Sequence, residues 1–150
     1  MLSGLASEEY LWKSAPEKWC LLEVVCHLLD EEREDFKYRL KHVLENPDSP
    51  MPPIDPQGWV GTRKYLEQDY EKTLYAFIQE REQSISWLQS LSSPDWNNTY
   101  HHPKLGPLSA ELFLNNWLAH DYLHIRQALS IKYNYFNQHS DTPLAYAGEW

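Results

Sequence analysis

Apolar residues recur with helical spacing along three long stretches of the chain. These stretches run over residues 17–45, 62–91 and 109–135, and a shorter one covers residues 7–13. Apolar residues that lie three or four positions apart fall on one face of a helix, so each stretch predicts an amphipathic helix. No stretch alternates apolar and polar residues over a useful length, and we therefore predict no sheet.

Prolines and glycines separate the long helices. Residues 46–61 hold Pro47, Pro50, Pro52, Pro53, Pro56 and Gly58, which excludes a helix there. Residues 92–108 are rich in the same breakers, and Ser109 then fits the N-cap of the last helix. Helices joined in this way favour an antiparallel bundle. The fold class predicted is an all-α, up-and-down helical bundle, formed by a single domain over residues 1–150.

Composition narrows the classes of function. The hydrophobic fraction is 42%, enough for a core, and the formal net charge of -9 disfavours nucleic-acid binding because phosphate backbones are repelled. No apolar run is long enough to cross a membrane, and no signal-peptide pattern is present. Two cysteines, Cys20 and Cys26, are too few for a disulfide framework. We interpret them as reduced thiols of a cytoplasmic protein.

Two groups of charged residues on the helices have specific interpretations. The run Glu31, Glu32, Arg33, Glu34 and Asp35 predicts a solvated helix face. On the second long helix, an arginine one turn beyond Phe77 lies on the core side of the helix. This residue, Arg81, either pairs with a carboxylate inside the bundle or extends its charged end to the surface.

Three histidines indicate a metal site. His120 and His124 lie four residues apart on the apolar stripe of the last helix, so both rings project from one face. Two buried imidazoles need hydrogen-bond partners and repel each other when protonated, and a shared divalent metal ion would meet both demands. His27, at the edge of the apolar face of the first long helix, could complete a three-histidine site with open coordination positions. Hydrogen-bonded core histidines without metal are the alternative.

Catalytic residues are not identified by the remaining motifs. The spacing of His120 and His124 is that of the zinc-protease helix, in which a glutamate follows the first histidine. Asp121 stands there instead and would reach a metal-bound water less easily, so we expect it to orient a ligand or to lie on the surface. The chain has no nucleophile elbow and no phosphate-cradling glycine loop, and no organic cofactor is expected.

Larger segments carry a family resemblance. Residues 16–28 begin with Pro-Glu-Lys-Trp and end with His27-Leu28, and residues 120–127 combine the histidine pair with Arg126-Gln127. This combination resembles the DinB-like superfamily of metal-binding four-helix bundles. The resemblance covers about residues 2–127 and extends through residues 55–59, Arg81 and residues 102–106.

The resemblance implies a function as well as a fold. His27, His120 and His124 would be the ligands of a divalent metal ion, with zinc or nickel favoured. Relatives include transferases and isomerases that use low-molecular-weight thiols such as bacillithiol, mycothiol or glutathione. We therefore expect a metal-dependent enzyme acting on a small molecule, such as a thiol S-transferase or a hydrolase. A non-catalytic metal-binding or stress-related protein, and a structural helical dimer without metal, are the alternatives.

One departure from the family concerns the first helix, which is short or missing here. Only residues 1–15 precede the Pro-x-Lys-Trp segment, so three long helices would leave an apolar groove. A partner subunit or the aromatic tail could fill the groove, and a truncated chain would leave it empty. We predict a homodimer. For the catalytic pocket we expect a lining of Trp59, Tyr65 or Trp117, with residues 46–61 at its mouth. The aromatic residues of the tail are Tyr133, Tyr135, Phe136, Tyr146 and Trp150.

Overall fold

The computed structural model describes residues 1–148 and is mainly helical. The α-helices are α1 (Ser7–Tyr10), α2 (Leu21–Glu34), α3 (Phe36–Glu45), α4 (Pro56–Thr62), α5 (Tyr70–Ser90) and α6 (Ala110–His139). Helix α2 packs chiefly against α5, and α3 packs chiefly against α6. The predicted all-α helical bundle with a short first helix is confirmed. Within the described residues, every helix is too short or too polar to cross a membrane. Trp150 lies outside the described residues.

The first predicted long helix is in fact two helices. Helix α2 begins at Leu21, where the backbone N–H of Cys20 donates to the Glu23 carboxylate (2.9 Å). It ends at Glu34, because the backbone of Asp35 (φ -112°, ψ -92°) leaves the helical region and α3 starts again at the next residue. The prediction of one continuous helix over residues 17–45 was therefore wrong. No proline or glycine marks the break, so the sequence pattern did not indicate it.

Helix α4 lies in the linker where no helix was predicted. Pro56 occupies its first turn, the position at which a proline's fixed φ and missing N–H cost nothing. The Asp55 side chain caps this turn by accepting a hydrogen bond from the Gly58 N–H (3.0 Å). The proline that argued against a helix therefore starts one.

Helix α5 begins at Tyr70 rather than at residue 62, and the Asp69 side chain caps it. Tyr70 and Leu74 lie in the core as predicted. Leu66 and Ile85, which were predicted to be core residues, are 53% and 46% exposed. The prediction failed for Leu66 because it belongs to a separate 3-10 turn before α5.

A β-hairpin replaces part of the second predicted linker, contrary to the expectation of no sheet. Strands β1 (Thr99–His102) and β2 (Gly106–Ser109) pair antiparallel, with Gly106 in the left-handed region (φ 77°) after the turn. Four-residue strands are too short to show an alternating pattern in the sequence. The predicted N-cap is confirmed, since the Ser109 hydroxyl accepts a hydrogen bond from the Leu112 N–H (3.1 Å).

The acidic run on α2 is only partly solvated, which corrects its predicted exposure. Glu31 and Glu32 are buried, and Glu32 is only 1% exposed. The Glu32 carboxylate accepts hydrogen bonds from Arg81 Nε (3.0 Å) and from Trp117 Nε1 (3.2 Å). Arg81 also donates to Asp121 (Nη2 to Oδ1, 2.9 Å). Of the two interpretations of Arg81, pairing inside the bundle is therefore confirmed.

An apolar groove runs between α5 and α6. Three described aromatic residues of the tail do not line its central part: Tyr146 is fully exposed, Phe136 is largely exposed, and Tyr135 packs edge-on against Trp12. Met1 and Leu2 lie at one end, where they line a smaller cavity with Ile125. The central part of the groove has a volume of about 360 Å³ and is lined by Arg81, Ser84, Ile85, Leu88, Leu114, Asn115, Trp117, Leu118 and Asp121.

The Arg81 network provides a first prediction about stability. Replacing Arg81 by methionine leaves the buried carboxylate of Glu32 without its cation, so we expect a loss of about 3 kcal/mol in the free energy of unfolding. The matched control is Arg33→Met, which removes an exposed ion pair with Glu80 and is expected to cost less than about 1 kcal/mol. Chemical denaturation of both variants measures the difference, and equal losses would contradict it.

Candidate metal centre

The structure brings all three predicted histidines together. His27 projects from α2, and His120 and His124 project from successive turns of α6. His120 Nε2 lies 3.2 Å from His27 Nε2 and 3.1 Å from His124 Nε2. The three ligand atoms all lie within 4.8 Å of one another, a group that could hold a metal ion.

Local structure explains why these rings meet. Every residue from Leu21 to Leu29 is buried, and His27 on this segment is only 5% exposed. The helical repeat of α6 places His120 and His124 on the same side, one turn apart. Where α2 crosses α6, the ring of His27 therefore faces both other rings, at centroid distances of 5.3 Å and 4.8 Å.

Hydrogen bonding prepares His124 to act as a ligand. Its Nδ1 lies 2.7 Å from Gln127 Oε1, and because that oxygen only accepts, Nδ1 carries the proton. Nε2 of His124 then presents its lone pair toward the other two rings. In the sequence, Gln127 stood out only as part of the family resemblance, and no contact with His124 was predicted for it. Its spacing of three residues from His124 is the sequence signal for this contact.

Two unpartnered buried atoms support the fit of a cation. Within the described residues, His27 Nδ1 and Glu31 Oε1 have no hydrogen-bond partner, and they lie 3.9 Å apart. A carboxylate beside the distal nitrogen of a histidine is the usual second neighbour of a metal-binding imidazole. The distances of His120 Nε2 from the other two Nε2 atoms, 3.2 Å and 3.1 Å, also fit, since Zn–N bonds of about 2.0–2.1 Å place tetrahedral ligand atoms roughly 3.3 Å apart. Three imidazoles suit zinc, nickel and other borderline divalent ions.

Burial keeps the three rings neutral. It lowers the pKa of His27 from 6.5 to about 3, with a further contribution from the charges of His124 and His120. Burial, followed by the charge of His124, lowers the pKa of His120 to about 4. The pKa of His124 is also lowered by burial, against the hydrogen bond to Gln127. The unprotonated imidazole, which is the form that binds metal ions, is therefore the stable form near neutral pH.

The carboxyl group beside His27 shifts in the opposite direction. Burial first, and then the hydrogen bond and negative charge of Asp35, raise the pKa of Glu31 well above its ordinary value. A buried carboxyl group in that state holds a proton more readily than a surface glutamate.

The histidines open onto a cleft of about 560 Å³. Two aromatic side chains flank them: the Trp19 ring lies 5.0 Å from His27 and the Phe36 ring lies 5.0 Å from His120, between centroids. Pro56 and Gln57 line the cleft, so part of the segment 46–61 that was predicted to form its mouth borders it. The complete lining is Glu17, Lys18, Trp19, His27, Glu31, Asp35, Phe36, Pro56, Gln57, His120, His124 and Gln127.

The aromatic lining differs from the prediction. Trp59 and Tyr65 are buried in the core around α2, and Trp117 donates to Glu32 and lines the α5–α6 groove instead. Their bulk suggested a pocket wall, but bulky aromatic side chains serve equally well as core. Trp19 takes this role because it lies in the extended segment just before α2, next to the histidines.

The other candidate residues lie outside the centre. Asp121 is held by Arg81, so neither the role of a protease base nor that of a free surface residue fits it. The remaining histidines that have ring hydrogen bonds make them elsewhere: His42 to the Ser49 carbonyl, His102 from two backbone N–H groups, and His139 to the Tyr135 carbonyl.

Comparison with known proteins agrees with this geometry. The family model of the DinB superfamily matches residues 1–128. The chain belongs to the DinB superfamily. The match spans all three histidines of the centre, and the resemblance drawn from the sequence is confirmed. None of the curated proteins matches this DinB superfamily chain in sequence.

A solved structure shares the fold of this DinB superfamily member. YfiT from Bacillus subtilis, described as a probable metal-dependent hydrolase with an unusual four-helix bundle topology, superposes with a TM-score of 0.74. The sequences are 18% identical, and the match covers 87% of this chain and 74% of YfiT. At this identity the similarity establishes the helical-bundle fold.

The lowered histidine pKa values can be measured directly. We expect His27 in the metal-free protein to titrate near pH 3 and to stay neutral at pH 5, since burial disfavours its charged form. The unfolded state takes up this proton first, so His27 lowers the free energy of unfolding as the pH falls from about 6.5. Two-dimensional NMR of the imidazole nitrogens measures the titration. A midpoint near 6.5 for His27 would contradict the burial of its ring.

Proposed function

We propose that this DinB superfamily protein is a metal-dependent enzyme that binds one divalent ion through His27, His120 and His124. The convergence of the three Nε2 atoms at the wall of a cleft carries this proposal. Structural zinc sites usually have four protein ligands, whereas catalytic sites keep a position open for water or substrate. A set of three imidazoles facing a cleft matches the catalytic type.

The surrounding side chains have defined tasks in this proposal. Gln127 keeps the proton on Nδ1 of His124, which leaves Nε2 free to bind. Glu31 Oε1 lies 3.9 Å from Nδ1 of His27. A closer approach of these two atoms would let Oε1 accept a hydrogen bond from the Nδ1–H group and so orient the ring. Trp19 and Phe36 shield the rings from bulk water on two sides.

Two reaction classes fit a centre of this kind. A divalent ion supplies Lewis acidity, which makes a bound water or thiol a better nucleophile at neutral pH. Hydrolysis of a small molecule is supported by the description of YfiT as a probable metal-dependent hydrolase. Transfer to a low-molecular-weight thiol is the second candidate and is supported by the family resemblance of the histidine-bearing segments. Zinc and nickel are the ions proposed.

Metal analysis tests the ligand assignment. We expect about one zinc or nickel ion per chain in the wild-type protein and a loss of the ion in His124→Ala, because two imidazoles bind divalent ions far more weakly than three. His139→Ala is the matched control, since it removes a histidine from the exposed end of the same helix. Elemental analysis of tag-free protein measures the content. An ion retained in His124→Ala, or absent from the wild type after incubation with both metals, would contradict the assignment.

Activity measurements then separate the reaction classes. Metal-loaded wild type is assayed for hydrolysis of ester and amide substrates and for thiol conjugation, beside His124→Ala and His139→Ala. The proposal expects turnover that is lost only in His124→Ala while helicity is unchanged. Stoichiometric metal binding without either activity would favour the non-catalytic metal-binding alternative.

We also propose that the protein forms a homodimer through α6. Leu118, Tyr122, Ile125 and Leu129 are spaced by four, three and four residues, and all four are exposed. This spacing forms one apolar stripe without a charged residue, beside the α5–α6 groove. In a chain of net charge -9, such a stripe lets two copies meet without bringing acidic groups together.

Sedimentation tests the dimer. We expect a dimer at micromolar concentration in the wild type and a monomer in Tyr122→Glu, because the substitution places a charge on each copy within the apolar contact. Tyr122 is 64% exposed in the single chain, so the variant is expected to fold. A wild-type monomer at micromolar concentration would refute the dimer.

A cytoplasmic location is proposed on the basis of the cysteines. Cys20 and Cys26 are both free thiols buried in the core. Unpaired thiols are typical of proteins kept in a reducing compartment.

A further inference from the structure

We propose that the substrate of this centre carries an anionic group, of the carboxylate type, and that Lys18 and Arg126 bind it in a second cleft beside His124. The inference rests on the proposed metal-dependent function and adds a substrate class to it. It is carried by the distribution of charge around the histidines, which is uneven in a way that the overall composition of the chain does not explain.

The second cleft adjoins the metal centre. It has a volume of about 870 Å³ and shares four lining residues with the first cleft: Lys18, Trp19, His124 and Gln127. A molecule that reaches the histidines can therefore extend into it along Trp19. The complete lining is Ser14, Lys18, Trp19, Leu123, His124, Arg126, Gln127, Ser130, Ile131 and Asn134.

The lining of the second cleft is basic in an acidic protein. The chain has 22 acidic residues against 13 lysines and arginines, yet this lining contains Lys18 and Arg126 and no carboxylate. The first cleft, which Lys18 also lines, contains three carboxyl groups, those of Glu17, Glu31 and Asp35. The carboxyl groups that line the two clefts thus all lie on the side of the first cleft, and among charged side chains only the two cations line the second cleft.

The two cations of the second cleft are also unpaired. Nine of the 13 lysines and arginines form an ion pair with a carboxylate. Among the described residues, the exceptions are Lys18, Lys37, Lys104 and Arg126. Two of these four line a single cleft next to the candidate metal centre. Because no carboxylate within residues 1–148 pairs with them, we take both to be available to an anionic ligand.

The remaining lining suits a small organic acid. An arginine guanidinium can donate two parallel hydrogen bonds to one carboxylate, and a lysine adds a third donor. Ser130 and Asn134 add neutral hydrogen-bonding groups, and Leu123 and Ile131 add apolar surface. The reacting group of such a substrate would lie at the histidines and its carboxylate at Lys18 and Arg126.

A pair of matched probes tests the inference. The first probe is succinic acid monohydroxamate, which combines a metal-binding hydroxamate with a carboxylate, and the second is its primary amide, which lacks the charge. Binding to cobalt-loaded protein of verified metal content is measured by calorimetry and by the visible spectrum of the cobalt ion. We expect the wild type to bind the carboxylate probe about tenfold more tightly than the amide, as charge-assisted hydrogen bonds predict.

Charge-matched variants complete the design. Lys18→Gln combined with Arg126→Gln is expected to abolish the tenfold preference and to leave binding of the amide probe unchanged. Lys37→Gln combined with Lys104→Gln removes the same total charge from the other two unpaired cations and is expected to keep the preference. All four side chains are at least partly exposed, so both variants are expected to fold, and circular dichroism verifies this.

The possible outcomes distinguish this inference from the proposed function. Equal affinity of the wild type for both probes, or a preference that survives in the Lys18 and Arg126 variant, would overturn the anion site while the metal centre stands. A preference lost equally in both variants would show a general effect of net charge and would also overturn it. Failure of the wild type to take up zinc, nickel or cobalt would refute the proposed metal site itself, and the inference with it.

Discussion

The guanidinium group of Arg81 connects the three helices on which the candidate metal centre depends. It extends from α5, binds the buried carboxylate of Glu32 on α2 and binds Asp121 on α6. Asp121 directly follows His120, and Glu32 lies just over one turn beyond His27. An unpaired carboxylate in the core would be strongly unfavourable, so the packing that satisfies Glu32 also holds α2 against α6. The approach of His27 to the histidine pair follows from that constraint.

Burial then sets the chemistry of the three rings. Their enclosure between the two helices, Trp19 and Phe36 disfavours protonation and keeps their nitrogens available as lone-pair donors. The same enclosure leaves Nδ1 of His27 and Oε1 of Glu31 without hydrogen-bond partners in the described residues. Unsatisfied buried groups lower stability, and they are found where a binding site is organised ahead of its ligand. The burial of the three rings thus supports the proposal of metal binding and also lowers the stability of the fold.

Charge on the two sides of the histidines completes the picture of the site. Glu17, Glu31 and Asp35 line the cleft that contains the rings. Lys18 lines both clefts, and Arg126 lines the adjoining one. Neither cation could be assigned a role from its spacing in the sequence, because one precedes α2 and the other lies on α6. Only the fold shows that these two cations have no ion-pair partner among the described residues, because it determines which carboxylates pair with the other lysines and arginines.

Helical periodicity by itself determined the bundle class, the Ser109 cap and the common face of His120 and His124, because these depend on residues within one or two turns of each other. The place of His27 at the edge of an apolar helix face made it a candidate third ligand, and the resemblance of residues 16–28 supported that choice. Tertiary structure alone decided the break at Asp35 and the burial of Glu31 and Glu32. It also decided that the aromatic residues lining the cleft are Trp19 and Phe36, and not the predicted Trp59 and Tyr65. The physical reason is that a buried charge or a pocket wall is defined by partners distant in sequence. The local pattern of polar and apolar residues does not identify those distant partners.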